Sequence, residues 1–139
     1  MKSFNVYLTF PGNCEEAINF YKSCFGGEIL SKQTFGDTQM QYPVADEYKS
    51  KIMHIDYKSD VMHLMASDGM PDQPPIVGNN LSLSIDATDE KEQETFFNKL
   101  SAGGVVTMPL QDTFWNAKFG MVKDRFGINW MLNYYKPKE

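Results

Sequence analysis

Residues 81–106, "LSLSIDATDEKEQETFFNKLSAGGVV", carry the pattern that decides the fold. "LSLSIDA" (81–87) alternates apolar and polar residues, the period of a half-buried strand. Asp89 then offers a helix N-cap, with Glu92 three residues on. Phe96, Phe97 and Leu100 supply the helix with an apolar face. Gly103-Gly104 stops it, and "VVTMP" (105–109) starts the next strand. Residues 4–29, "FNVYLTFPGNCEEAINFYKSCFGGEI", read in the same order. A strand over 4–10 ends at Pro11-Gly12, and Asn13 with Glu16 has the spacing of a capping box. Ala17, Phe20, Tyr21, Cys24 and Phe25 recur at helical spacing, Gly26-Gly27 follows, and "EILSK" (28–32) resumes as a strand. Phe4 maps onto Leu81, Phe20 onto Phe97 and Gly26-Gly27 onto Gly103-Gly104, all at an offset of 77. Three features in order at one offset predict two copies of one unit.

Each copy continues with two more strands. In the first these are 51–58 and 61–67, joined by a tight turn at Ser59-Asp60. In the second they are 117–124 and 128–135, joined near Arg125-Phe126-Gly127, where glycine supplies the positive φ of a turn. The expected fold is α+β: two βαβββ modules forming a cupped mixed sheet in a single domain. Module 1 covers about residues 1–70, a Pro/Gly/Asn-rich linker 71–79, and module 2 about 80–139. The first copy carries a longer stretch, 33–50, before its third strand.

A chain of 139 residues, 42% hydrophobic and 14% aromatic, is large and apolar enough to build a core. The net charge of −5, with no stripe of Lys or Arg, argues against nucleic acid or an anionic membrane as partner. The first apolar run is too short for a signal segment or a membrane span, so the expected location is cytoplasmic. Cys14 and Cys24, on one helix, stand about 15 Å apart along its axis. That exceeds disulfide reach, and free buried thiols are expected.

The two histidines of the chain, His54 and His63, fall on adjacent strands of the first unit. A hairpin centred on Ser59-Asp60 pairs positions summing to about 118 or 119 and so brings the two rings close. They are candidates for a metal pair or a proton-handling pair, against the simpler reading of strand histidines bonded to neighbours or solvent. Asp56 shares the face of His54 by period two and joins them as a catalytic candidate. Asp68, at the end of the fourth strand, reads as a turn cap. Met53, Met62, Met65, Met121 and Met131 on strands suit adaptable core filling or a plastic pocket. Asp112, Phe114 and Trp115 stand at the expected rim of the second cup, as ligand or dimer contacts. Tyr7 and Trp130 complete the ligand-binding candidates. No Ser-His-Asp order, Walker loop or paired-Cys metal motif is present.

The stretches "YLTFPGNCEEAINFYKSCFGGEI", "IMHIDY", "HLMASD", "LSLSIDATDE" and "MPLQDTFWNAKFGMVKDRFGINWMLN" resemble the PhnB-like branch of the vicinal oxygen chelate superfamily. That superfamily includes glyoxalase I, bleomycin-resistance proteins and extradiol dioxygenases. The branch also carries the label 3-demethylubiquinone-9 3-methyltransferase-like, yet no Gly-rich loop after a strand is present to hold a nucleotide-like cofactor. "DRFGI" (124–128) is similar to the superfamily's D-P-x-G-N turn, with Arg125 in place of Pro and Ile128 in place of Asn. The resemblance implies homodimers and, in metal-dependent members, His, Gln or Glu ligands on strands one, four, five and eight. Those positions fall on Asn5, on His63 or Leu64, on Ser82 and on Met131. Asn and Ser are poor ligands for a catalytic transition metal, and Met suits copper(I) better than a divalent ion. No cofactor is therefore expected, although a divalent metal at nonstandard ligands stays open.

Three functions follow. The first is metal-independent binding of a small molecule in the cupped sheet. The second is a lyase-, isomerase- or dioxygenase-type enzyme using His54 and His63 with a nonstandard metal site. The third is a dimeric protein with a closed cavity.

Overall fold

A computed structural model describes residues 2–37 and 44–138. Part of the long stretch 33–50 therefore lies outside the described residues. The chain divides into two compact units, Met1–Ile76 and Val77–Glu139. The first contains β1 (Val6–Thr9), α1 (Cys14–Phe25), β2 (Glu28–Thr34), two short 3₁₀ turns, β3 (Ile52–Lys58) and β4 (His63–Ser67). The second contains β5 (Leu83–Asp86), α2 (Glu90–Ser101), β6 (Val105–Asp112), β7 (Ala117–Lys123) and β8 (Asn129–Tyr135). The sheet orders are β1-β4-β3-β2 and β5-β8-β7-β6, with the outer pairs β1/β4 and β5/β8 parallel and the rest antiparallel. This is the expected α+β architecture, two βαβββ modules with a mixed sheet in each. Among the described residues no helix is long and apolar enough to cross a membrane.

The two registers show how faithful the duplication is. Val6 pairs with Leu64 and Leu83 with Trp130, so β1 and β5 correspond at the offset of 77. The helices correspond at 76 instead. Ala17, Tyr21 and Cys24 are buried in α1, as Gln93, Phe97 and Leu100 are in α2. Phe97 is thus the counterpart of Tyr21 rather than Phe20. The loop before α2 is one residue shorter than the loop before α1, and Ala102 restores the count before the second glycine pair. Phe20 accordingly turns partly to solvent, and Ile18 takes the buried place on α1.

The caps diverge too. Asp89 accepts from the Glu92 N–H at 2.7 Å, and Glu92 reaches back to the Thr88 N–H at 3.0 Å. Asn13 makes no side-chain cap bond. Its place is taken by Asp68 at the end of β4, whose Oδ1 accepts from the Cys14 N–H at 2.8 Å. A carboxylate delivered from the sheet satisfies the first turn of α1 and ties helix to sheet in one contact. Cys14 and Cys24 are both buried free thiols, and burial, with Asp68 and Glu15 nearby, pushes the Cys14 thiol up.

After each helix the second glycine of the pair meets the end of a strand. A Cβ on Gly27 would lie 2.2 Å from the Lys58 carbonyl oxygen, and one on Gly104 would lie 2.4 Å from that of Lys123. Lys58 ends β3 and Lys123 ends β7, so the contact is the same in both units. The Tyr57 hydroxyl donates to the Gly26 carbonyl at 2.5 Å in unit 1. Its burial raises the phenol above its ordinary pKa.

Gly104→Ala is therefore expected to destabilise the protein by about 3 kcal/mol, and Gly27→Ala by at least as much, since φ there is also +83°. Gly26 has φ +74° but open space around its missing Cβ, so Gly26→Ala should lose only about 1 kcal/mol. Guanidinium denaturation of the three variants measures this order. A loss at Gly104 no larger than the loss at Gly26 would show that the strand contact does not set the requirement.

Candidate functional site

Each sheet buries one face under its helix and leaves the other open. In unit 1, Leu8, Ile55, Tyr57, Leu64 and Ala66 face α1 and are buried. Alternation puts Tyr7, Thr9, His54, Asp56, His63 and Met65 on the opposite face. The registers set them in rows across the strands: Tyr7–Met65–Asp56–Ser31 is one, and His63–Lys58–Glu28 is the next. His54 stands on a third row with Gln33. The Tyr7 hydroxyl and His54 Nδ1 are 3.2 Å apart, with ring centroids at 5.7 Å. His63 Nε2 bonds to Asp56 Oδ1 in a short contact across the hairpin.

The histidines are therefore not a pair. The β3–β4 turn spans Ser59 to Met62, closed by the Ser59 N–H on the Met62 carbonyl at 2.9 Å. The Ser59 Oγ accepts from the N–H groups of Val61 and Met62 and holds the wider turn. Lys58 consequently faces His63 and Asp56 faces Met65, a register summing to 121 rather than 118 or 119. His54 moves away from His63 toward Tyr7, and Asp56, not His54, becomes the partner of His63.

The same registers correct the strand-four position. Tyr7 pairs with Met65, and its counterpart Ser84 pairs with Met131. The duplicate of Met131 is thus Met65, not His63 or Leu64; Leu64 is buried beneath the sheet. With that correction, the positions that the resemblance assigns to ligands fall on Asn5, Met65, Ser82 and Met131. Amide, hydroxyl and thioether groups lack the anionic oxygens and imidazoles that a catalytic divalent ion takes. The residues present do not fit that metal. Among the described residues no three His, Cys, Asp or Glu side chains converge as a metal cluster.

The open face of unit 2 is more apolar. Ser84, Met131 and Met121 form one row, and Asn133 with Phe119 the next. A hollow of about 180 Å³ is lined by Asn79, Ser82, Thr107, Met121, Val122, Asn129 and Trp130. Trp130 contributes from the core: it is 1% exposed, pairs with buried Val122, and its indole N–H donates to Asp124 Oδ2 at 2.8 Å. The β6–β7 turn carries Phe114 and Trp115, stacked edge-on at 4.8 Å, with Trp115 6.5 Å from Phe119. Phe114 is 96% exposed. Asp112 is held by Lys136 at 2.6 Å, and that ammonium keeps its carboxyl below the ordinary range.

Two buried carboxylates sit away from both open faces and act as backbone clasps. Asp68 accepts from the N–H groups of Cys14 and Ile52, at 2.8 and 2.7 Å. Asp124 accepts from those of Phe126 and Ile128 at 2.8 and 3.1 Å, besides the indole of Trp130. Gln93, in the apolar stripe of α2, donates to the Lys118 and Leu132 carbonyls and so pins the helix to two strands. Its place at the 93, 97, 100 spacing is the one sequence signal that could have found it. Asp68→Ala and Asp124→Ala should each lower stability by about 3 kcal/mol, since the first strands two buried backbone N–H groups and the second strands two backbone N–H groups and the buried Trp130 indole. Urea unfolding reads this loss, and a variant within 0.5 kcal/mol of the parent would remove the clasp from the account.

Comparison with known proteins places this geometry among relatives. The family model for 3-demethylubiquinone-9 3-methyltransferase matches residues 2–133. Protein YjdN of Escherichia coli K12 is 33% identical over 95% of both chains. The crystal structure of PA1353 from Pseudomonas aeruginosa is 40% identical, with TM-score 0.84 over 97% of this chain and 100% of that one. The PhnB protein of Bacillus cereus is 27% identical, with TM-score 0.76 over 96% and 99%. A glyoxalase/bleomycin resistance protein from Albidiferax ferrireducens, 16% identical over 96% and 98% with TM-score 0.62, shares the fold.

Proposed function

The chain belongs to the 3-demethylubiquinone-9 3-methyltransferase family, as a PhnB-like member of the vicinal oxygen chelate superfamily, and on that premise we propose that it binds a small organic ligand on its open sheet faces without a metal ion. The observation that carries this reading is the hollow on unit 2, whose lining combines Met121, Val122 and Trp130 with the polar residues Ser82, Thr107 and Asn129. An apolar wall with a few directed polar groups is how ligand sites are built, and flexible methionine lets such a wall adapt. At about 180 Å³ the hollow takes a single ring or short chain rather than a whole drug-sized molecule. Metal independence follows from the donors at Asn5, Met65, Ser82 and Met131.

A thermal-shift screen of small aromatic and oxygen-rich metabolites, run in EDTA, tests the reading. A ligand at 100 times its Kd adds about 2.7 kcal/mol and raises the melting temperature by several degrees. Met121→Trp fills the hollow and should remove the shift. Shifts that appear only with added divalent metal, or no shift with any compound, would refute metal-independent binding.

The aromatic corner supports a homodimer. Phe114 and Trp115 form the kind of exposed apolar surface that a second copy covers. Light scattering should give twice the chain mass, falling to one chain in a Phe114→Ser/Trp115→Ser variant. A strictly monomeric parent protein rules the dimer out.

A further inference from the structure

The Asp56–His63 contact is arranged as a proton acceptor. Both residues point from the open face of unit 1, on neighbouring strands one register step apart, so the carboxylate reaches the imidazole diagonally. The bond joins Asp56 Oδ1 to Nε2 of His63. An ionised carboxylate only accepts, so Nε2 carries the hydrogen and Nδ1 of the neutral ring keeps its lone pair. Among the described residues Nδ1 of His63 makes no hydrogen bond, and the side chain is 39% exposed, open to an incoming molecule. Lys58 stands directly across from His63 and makes no ion pair among the described residues. An imidazole oriented by a carboxylate, with a lysine at the paired position of the neighbouring strand, is a base with a cation on the same row for whatever anion it creates.

We propose that Asp56, His63 and Lys58 form a metal-independent general-base site for small molecules with an acidic C–H or O–H. His63 Nδ1 takes the proton, Asp56 is the positioning residue that orients the ring and balances the imidazolium, and Lys58 meets the developing oxyanion. The proposal rests on the reading of the open faces as ligand surfaces, and its test separates the two.

The probe is 5-nitrobenzisoxazole, whose ring opening reports a general base directly. The C3 proton passes to Nδ1, its electron pair completes the nitrile, the N–O bond breaks, and 2-cyano-4-nitrophenolate leaves; the proton then returns to water. No co-reactant is needed, and the coloured product is followed by absorbance. In EDTA, kcat/KM should fall about 100-fold in His63→Ala. It should fall about tenfold in Asp56→Asn, with recovery in Asp56→Glu. Lys58→Met should also lose about tenfold. Long-range proton–nitrogen NMR should show the Nε2–H tautomer of His63 in the parent protein and a mixture in Asp56→Asn, and a rate that falls with the loss of that tautomer and returns in Asp56→Glu is what a structural role alone would not produce. A folded His63→Ala variant that turns the probe over at the parent rate overturns the proposal. So does an Nδ1–H tautomer in the parent, or a protein that shifts with ligands yet reacts no faster than free imidazole. A His63-dependent rate in a protein that fails every ligand screen sinks the binding reading and leaves the base standing.

Discussion

The approach of a glycine to the last carbonyl of a strand sets the rest of each unit. At Gly27 and Gly104 no side chain fits between the turn after the helix and the end of β3 or β7. That contact seats the helix end on the sheet at a fixed point. With the helix seated, the faces carrying Tyr57, Leu64 and Ile55, or Val122, Trp130 and Leu132, are covered and buried. The opposite faces remain open by the alternation of the strands. Where function can reside in this fold is thus a consequence of where backbone meets backbone without a Cβ.

The open faces differ more between the two units than the scaffold beneath them does. Unit 1 presents Tyr7, His54, Asp56, His63 and Lys58, groups that donate, accept and carry charge. Unit 2 presents Met121, Met131 and Phe119 among small polar residues, groups that cover apolar surface. Met65 and Met131 occupy matching places, the clearest correspondence between these two faces. The buried carboxylates belong to the scaffold. Asp68 and Asp124 have their oxygens committed to N–H groups, so neither is available to a ligand.

Much of this was legible in the sequence because it depends on local pattern. The strand periods, the helix face and the glycine pairs express short-range sterics and burial, which neighbouring residues reveal. The Asp89 cap was legible for the same reason. What failed depends on contacts between distant segments. Asn13 has the composition and spacing of a cap, but Asp68, 54 residues beyond Cys14, reaches the helix end instead. The β3–β4 register shifted because the Ser59 hydroxyl supports a wider turn than Ser59-Asp60 alone suggests. The strand-four position fell on Met65 because pairing with β1, not spacing along β4, decides the match.

The sequence by itself determined two βαβββ units, the glycines that close their helices, and the absence of carboxylate and imidazole groups at Asn5, Ser82 and Met131. Only the tertiary structure decided which polar groups meet. It separated His54 from His63, joined each to a different partner, and drew Trp130 into the core through Asp124. The reason is the strand register. A slip of two or three residues leaves every periodic pattern in the sequence readable, yet it replaces each cross-strand neighbour with another.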